Sequence, residues 1–194
     1  MFHEEWYSEP QCRLLADLAR TVLPLEGIIM EIGCWEGRST VALANAVYPQ
    51  TLHAVDTWQG NFDESPDNIS VLLAIERDIF KEFQTNISEL TKGNVIPHKM
   101  DCFVYLANLQ EKIKICHVDA CHDYASVKQT IRMIMPKLVD GGVICGDDFC
   151  AAHAGRDDLQ GGVEKAVVEM CPGFKADANS WWYRKGNIIH DRSC

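Results

Sequence analysis

No apolar run in this chain approaches the length of about 18 residues that a membrane-spanning helix needs. Positive charge is scarce as well: 18 Lys and Arg residues stand against 28 Asp and Glu residues, and they form no cluster. Because phosphate backbones are bound through clustered positive charge, we expect neither a nucleic acid nor a membrane as a partner. The first ten residues contain no basic start and no apolar segment, so we expect no signal peptide and a cytoplasmic protein.

The cysteine content argues against a disulfide framework. Nine cysteines, an odd number, are spread from Cys12 to Cys194, and several fall in or beside probable strands. Free, buried thiols in a reducing cytosol explain this distribution best. The length of 194 residues and the hydrophobic content of 47% suit one domain over residues 1–194, with no internal repeat or linker.

Apolar periodicity alternates between strand and helix along the chain. Strands are predicted over 27–32, 51–55, 95–98, 113–118 and 143–146, helices over 8–23, 39–48, 69–90, 101–110, 127–138 and 163–170, and a terminal hairpin within 174–189. This alternation predicts an α/β fold: a mostly parallel, doubly wound sheet with a C-terminal antiparallel hairpin. Acids follow three of the strands, and ligands of such sheets bind at the carboxyl ends of the strands. We therefore expect these acids to gather along one edge of the sheet.

A glycine turn follows the first predicted strand, in the segment MEIGCWEGRST at residues 30–40. Gly33 and Gly37 allow a tight turn and a close approach of the backbone to a ligand. The segment is not the GxGxxG of dinucleotide-binding folds. Asp56 ends the second strand, where an acid can accept both hydroxyls of a ribose, so the two features together favour a nucleoside ligand.

Four segments follow one another in a recognisable order: EIGCWEGRST (31–40), LHAVDTWQG (52–60), HVDACHDYASV (117–127) and LVDGGVICGDD (138–148). Together they resemble the class I S-adenosylmethionine-dependent methyltransferases, and most closely the metal-dependent macrocin and sugar O-methyltransferase-like group. The resemblance implies a Rossmann-like sheet. Trp35 stands where many of these enzymes have a second glycine, so its side chain is expected to narrow the cofactor cleft.

The resemblance also implies contacts to S-adenosylmethionine. Glu31 and Gly33 would lie near the methionine part, and Asp56 would hold the ribose. The other residues implied are Gly37 and Ser39 in the glycine loop, Thr57 and Trp58 beside the ribose, and Asp101 and Cys102 near the adenine.

Asp119, Asp147 and Asp148 are the predicted metal ligands. Carboxylates crowded at strand ends repel one another, and a hard divalent cation with oxygen ligands relieves that repulsion. The resemblance implies that the cation is Mg²⁺. His122 lies three residues beyond Asp119 and is a candidate general base near neutral pH, with Asp119 itself as the alternative base. Without a metal, these acids would be helix caps or a solvent-facing pair.

The resemblance implies transfer of a methyl group to a hydroxyl of a small molecule, first a sugar or glycosylated metabolite and second a catechol-like ring. Substrate-facing regions are expected at 57–68 and at 149–160, which contains His153 and Arg156. The alternatives are a non-catalytic nucleoside-binding or assembly module and an NAD-dependent oxidoreductase, which the missing GxGxxG disfavours. A structural zinc site on the C-x4-C pairs that begin at Cys116 and Cys145 is a further alternative. A homo-oligomer is compatible with the sequence.

Overall fold

Helices and strands alternate along the chain in the computed structural model, which describes residues 2–61, 68–150 and 159–186, without the side chains of 159 and 160. The helices are α1 (Glu9–Thr21), α2 (Arg38–Val47), α3 (Ile69–Glu76), α4 (Ile79–Leu90), α5 (Cys102–Asn108), α6 (Tyr124–Ile134) and α7 (Leu159–Met170). The strands are β1 (Ile28–Ile32), β2 (Leu52–Asp56), β3 (Val95–Lys99), β4 (Ile113–Val118), β5 (Leu138–Gly146), β6 (Lys175–Asp177) and β7 (Ser180–Arg184). Within these ranges, no helix is both long enough and apolar enough to cross a bilayer.

The seven strands form one sheet in the order β3-β2-β1-β4-β5-β7-β6. The first five are parallel, and β7 pairs antiparallel with both β5 and β6. Ile32 pairs with Val55 on one side and with Val118 on the other, and Val118 pairs with Gly146. The residues that follow β1, β2, β4 and β5 therefore meet at one edge, which confirms the predicted α/β fold.

Apolar side chains cover both faces of the sheet, because successive strand residues point to opposite sides. On β4, Ile115 packs towards α1 and α2, whereas Cys116 packs towards α5, α6 and α7. The first layer includes Leu15, Ala19, Val22, Leu43 and Val47, and the second includes Leu106, Val127, Ile131, Val163 and Val167. The sheet is therefore doubly wound, with helices packed on both of its faces.

Two predicted helix boundaries are wrong. The predicted helix over 69–90 is two helices, because Arg77 is extended (φ −131°, ψ 147°) and Asp78 caps a new helix through Lys81 N–H. The predicted helix through Leu138 ends at Ile134, since Pro136 has no N–H with which to continue the helical hydrogen bonds. Leu138 instead begins β5, in which Gly141 adopts a left-handed φ of +78°.

The described cysteines are free thiols. Cys116 and Cys145 point into the packing of adjacent strands, and burial raises the pKa of both. Groups of side chains close enough to hold a metal ion contain no cysteine among the residues that the structure describes. The zinc alternative therefore has no support in the described part of the chain.

Candidate active site

A cavity of about 600 Å³ opens at the carboxyl edge of the sheet, and this volume is within the usual range of small-ligand sites. Ten of the predicted site residues line it: Gly33, Ser39, Asp56, Thr57, Asp101, Cys102, Asp119, His122, Asp147 and Asp148. Three predicted cofactor contacts lie outside its lining: Glu31, Gly37 and Trp58. The acids of the lining lie close together because the strands that precede them end at the same level of the sheet.

Gly33 begins the loop between β1 and α2 and adopts a left-handed φ of +79°. A Cβ at this position would lie only 1.8 Å from the backbone carbonyl oxygen of Asp119. The loop and the end of β4 therefore pack directly on each other, and only glycine permits this approach. The same packing brings the glycine loop beside the acids that follow β4.

Asp56 braces this glycine loop from the end of β2. Its carboxylate accepts hydrogen bonds from the backbone N–H groups of Cys34 (2.6 Å), Trp35 (2.9 Å) and Trp58 (2.7 Å). Burial raises the pKa of Asp56, although these three donors oppose the shift. A carboxylate has about four acceptor positions, so Asp56 retains capacity for a ribose hydroxyl, and that role stays a prediction.

Trp58 and Gly37 support the loop from behind. The Trp58 indole N–H donates to the Trp35 carbonyl at 2.9 Å, and its buried ring packs on Phe80 and Phe83. Gly37 precedes α2 with φ +91°, and a Cβ there would lie 2.9 Å from the Phe83 ring. These two residues shape the cavity wall without facing the cavity.

Asp119, His122 and Asp148 form a compact group on the cavity floor. One ligand atom of each lies within 4.8 Å of the others. The imidazole Nε2 of His122 is 2.8 Å from a carboxylate oxygen of Asp148. Asp148 has a left-handed φ of +58°, a conformation that Asp adopts more readily than most residues. Two of the three predicted metal ligands, Asp119 and Asp148, therefore lie in one group with His122, and their role as ligands stays a prediction.

Asp147 is turned towards α1 and the β6–β7 turn. Its Oδ1 accepts hydrogen bonds from the Gln11 side-chain amide and, at 3.3 Å, from the Asn179 amide. Gln11 itself is positioned by a capping box at the start of α1, since the Ser8 backbone N–H donates to Gln11 Oε1 at 2.8 Å. Asp147 still lines the cavity, so its role as a metal ligand stays a prediction.

The three acids have different pKa values because their partners differ. Burial, and then the charge of Asp148, raises the pKa of Asp119 to about 6. Burial, and then the charges of Asp119 and Asp148, raises the pKa of Asp147 to about 8. Burial alone would raise the pKa of Asp148, but the hydrogen bond and charge of His122 hold it below its usual value. At neutral pH, Asp147 is therefore mainly protonated, and its two neighbours are mainly ionised.

Glu31 pairs with His117 beneath the cavity floor. The two residues are register partners on β1 and β4, both fully buried, with His117 Nδ1 2.9 Å from Glu31 Oε1. The Thr40 hydroxyl donates to the other Glu31 oxygen. Burial alone would lower the pKa of His117, but its hydrogen bond to Glu31 raises that pKa above its usual value. Sequence reasoning missed His117, whose signal was a histidine within a buried strand whose register partner is an acid.

The expected substrate-facing regions are described only in part. Thr57, Gln59, Gly60, Asn61 and Asn68 line the cavity. Phe149 instead packs in the core against Phe174, with ring centroids 5.0 Å apart. Residues 62–67 and 151–158, and with them His153 and Arg156, lie outside the described residues. Sequence reasoning also missed Glu4, Trp6 and Tyr7, which line the cavity from the segment before α1.

A parallel sheet of this order, with a glycine loop after β1 and acids after β2, β4 and β5, defines a Rossmann-like methyltransferase fold. The family model described as a methyltransferase domain, Methyltransf_24, matches residues 30–149. The chain therefore belongs to this methyltransferase family, which confirms the resemblance to S-adenosylmethionine-dependent methyltransferases. The matched range includes every predicted site residue. The sequence matches none of the curated proteins compared with it.

Solved O-methyltransferases share this fold. The O-methyltransferase NovP is 17% identical with a TM-score of 0.65, over 90% of this chain and 79% of NovP. TomG from Streptomyces achromogenes, solved with SAM, is 20% identical with a TM-score of 0.67, over 93% of this chain and 82% of TomG. CalS11, a TDP-rhamnose 3'-O-methyltransferase, is 18% identical with a TM-score of 0.59, over 93% of this chain and 82% of CalS11. At these identities, the similarity establishes the common fold.

Replacing Gly33 by Ala tests the contact between the glycine loop and Asp119. We expect Gly33→Ala to weaken S-adenosylhomocysteine binding by at least about tenfold, or 1.4 kcal/mol, because the loop must move away. Gly93→Ala is the matched control, since Gly93 has a similar φ of +76° but a Cβ there would have no atom within 4 Å. Isothermal titration calorimetry gives both affinities, and equal losses in the two variants would refute the packing explanation.

Replacing Asp147 by Asn tests the buried charge. The folded protein holds the Asp147 proton up to about pH 8, whereas the unfolded chain loses it near pH 4. Stability without ligand should therefore fall as pH rises between these values. Because Asn keeps the Oδ1 acceptor for Gln11 and Asn179, Asp147→Asn should raise Tm at pH 9, by roughly 2–4 °C for each kcal/mol relieved.

The matched control is Asp140→Asn, which removes the same charge from an exposed position on β5. Both variants are melted in EDTA between pH 4 and pH 9. The rise in Tm caused by Asp147→Asn should shrink as the pH falls. A rise in Tm equal to that of Asp140→Asn at every pH would show that the buried charge of Asp147 does not destabilise the protein.

Proposed function

We propose that this protein transfers a methyl group from S-adenosylmethionine to a hydroxyl oxygen of a small molecule with the help of a divalent cation. The observation that carries this proposal is the Asp119, His122 and Asp148 group, which shares one cavity with the glycine loop and Asp56. A sugar or glycosylated metabolite is the first acceptor class, and a catechol-like ring is the second. Free thiols in the described chain fit a cytoplasmic location.

The cavity fits the cofactor on the chain's own geometry. The missing Cβ of Gly33 lets the glycine loop pack on the end of β4, and Gly33, Asp56 and Asp101 all line the cavity. Asp101 also caps α5 through the Val104 N–H at 3.0 Å, so its carboxylate is held in place. S-adenosylmethionine would supply an activated methyl group on its sulfonium. The residues of the cavity wall would hold this methyl group in line with the acceptor oxygen, so that binding the cofactor also orients it for transfer.

The floor group fits a divalent cation by its donor chemistry. Carboxylates of Asp119 and Asp148 are suitable ligands for Mg²⁺ or Mn²⁺, and the His122 imidazole suits Mn²⁺ and softer ions. A bound cation would lower the pKa of an acceptor hydroxyl. Asp119, whose carboxylate belongs to this group, is one candidate to accept the hydroxyl proton. His122 is the alternative acceptor of that proton, with Asp148 orienting its ring.

The charge of the described lining favours a neutral acceptor. Only Arg38 there carries a permanent positive charge. Seven lining residues carry carboxyl groups: Glu4, Glu36, Asp56, Asp101, Asp119, Asp147 and Asp148. Even with Asp147 protonated and with Glu4 and Glu36 paired with Arg77, the remaining carboxyl groups outnumber Arg38, so this surface favours a neutral glycoside or catechol over a phosphorylated acceptor. This pattern supports a different acceptor class from the nucleotide sugar named for CalS11.

Cofactor binding is the first test. We expect S-adenosylhomocysteine at millimolar concentration to raise Tm, since ligands that bind only the folded state stabilise it. NAD at the same concentration is the control, because the glycine loop lacks GxGxxG. A shift with NAD and none with S-adenosylhomocysteine would overturn the proposal in favour of an oxidoreductase.

Replacing Asp148 by Asn tests the cation site. Asn tolerates the left-handed backbone but removes a charged ligand, so Asp148→Asn should weaken Mn²⁺ binding by at least about tenfold. Asp147→Asn is the comparison, and we expect a smaller loss because Asp147 Oδ1 is bonded to Gln11 and Asn179. Electron paramagnetic resonance of free Mn²⁺ measures both, and unchanged affinity in Asp148→Asn would exclude this site.

A further inference from the structure

The segment before α1 forms one wall of the cavity. Glu4, Trp6 and Tyr7 line it, although they lie outside the strands and helices of the sheet. The Trp6 ring packs on the Trp35 ring of the glycine loop, with centroids 5.3 Å apart and planes 31° apart. Trp6 is 50% exposed, whereas Tyr7 is buried and packs edge-on against His117, with ring centroids 5.4 Å apart. Tyr7 therefore anchors the end of the segment next to α1, and the residues before Trp6 are held by other contacts.

Glu36 provides the first of these contacts. Its Oε2 accepts hydrogen bonds from the backbone N–H groups of His3 (2.6 Å) and Glu4 (3.4 Å). The Glu36 side chain is only 2% exposed, and it belongs to the same loop as Gly33. Burial alone would raise its pKa, but the His3 N–H and the Arg77 guanidinium hold the pKa of Glu36 below its usual value. A buried, ionised carboxylate therefore joins the segment to the glycine loop.

Arg77 supplies the positive charge for this carboxylate. Its guanidinium bonds to Glu36, to both oxygens of Glu4 (3.0 and 3.2 Å) and to Glu82 on α4 (3.1 Å). His3, Glu36 and Glu82 lie close enough together to hold a metal ion, but the Arg77 guanidinium already bonds to both carboxylates. One side chain thus connects three parts of the chain.

The break between α3 and α4 brings Arg77 to this position. An uninterrupted helix over 69–90 would keep residue 77 helical, whereas the extended Arg77 leaves the helix axis. Asp78 then restarts the helix by accepting a hydrogen bond from the Lys81 N–H at 3.1 Å. The apolar pattern that predicted one helix is therefore interrupted at Arg77, the residue whose side chain makes these three contacts.

We propose that Arg77 is a positioning residue, which closes one side of the cofactor cavity by fastening His3 and Glu4 to the glycine loop. Arg77 does not line the cavity, so its effect on a ligand acts through Glu4 and Glu36. Removing it leaves Glu36 buried without its counter-charge, and the segment is released to rehydrate that carboxylate. The ligand-binding part of this inference rests on the proposed function, whereas the fastening of the segment does not.

The test compares Arg77→Met with Arg20→Met, the same substitution in an exposed ion pair of α1. We expect S-adenosylhomocysteine to leave Arg77→Met at least about tenfold faster than the wild-type protein, since loss of a buried charge partner acts mainly on dissociation. Arg20→Met should keep the wild-type rate. Stopped-flow tryptophan fluorescence measures these rates.

The double variant Glu36→Met/Arg77→Met separates positioning from stability. It removes both charges of the buried pair together with the acceptor for the His3 and Glu4 N–H groups, so Tm should recover relative to Arg77→Met, while Glu4 stays unfastened and dissociation stays fast. Dissociation at the wild-type rate in this folded double variant would overturn the proposal.

Limited chymotrypsin digestion gives a readout that needs no cofactor. Cleavage after Trp6, whose ring is half exposed, should be faster in Arg77→Met than in Arg20→Met and the wild-type protein. Equal cleavage would overturn the fastening itself. If the wild-type protein does not bind S-adenosylhomocysteine, the proposed function fails, and digestion alone decides the role of Arg77.

Discussion

Negative charge crowded at one edge of the sheet is the constraint on which this site depends. The register of the parallel strands brings the ends of β1, β2, β4 and β5 to one level, and acids follow three of them. At an effective dielectric of about 20, two charges 4 Å apart repel by about 4 kcal/mol. Each acid therefore needs hydrogen-bond donors, a bound proton or a positive partner to offset its charge. Which of these an acid has distinguishes structural acids from those available to ligands.

The compensations differ in kind. Asp56 is held by three backbone N–H groups, which makes it a brace for the glycine loop. Asp147 bonds to side-chain amides and holds a proton, with a pKa of about 8. Glu31 and Glu36, behind and beside the cavity, are paired with His117 and Arg77. The group of Asp119, His122 and Asp148 is the part of the floor whose donor set suits a cation.

Local patterns in the sequence predicted the sheet, its helices and the positions of the strand-end acids, because apolar periodicity and turn residues are local signals. They could not separate Asp147 from Asp148, since a distant side chain, Gln11, determines which way Asp147 turns. Pairing of Glu31 with His117 depends on strand register, which is also non-local. The helix break at Arg77 was hidden by apolar residues on both sides of it, and its contacts come from segments far apart in the chain.

The most direct measurement follows a labelled methyl group from trideuteromethyl S-adenosylmethionine into neutral glycosides and catechols, with Mn²⁺ or with EDTA. Mass spectrometry of the products locates the label and gives the initial rates. Cation-assisted transfer to oxygen predicts label on a hydroxyl oxygen at a rate that collapses in EDTA. Label on carbon or nitrogen, or an equal rate in EDTA, would contradict this account.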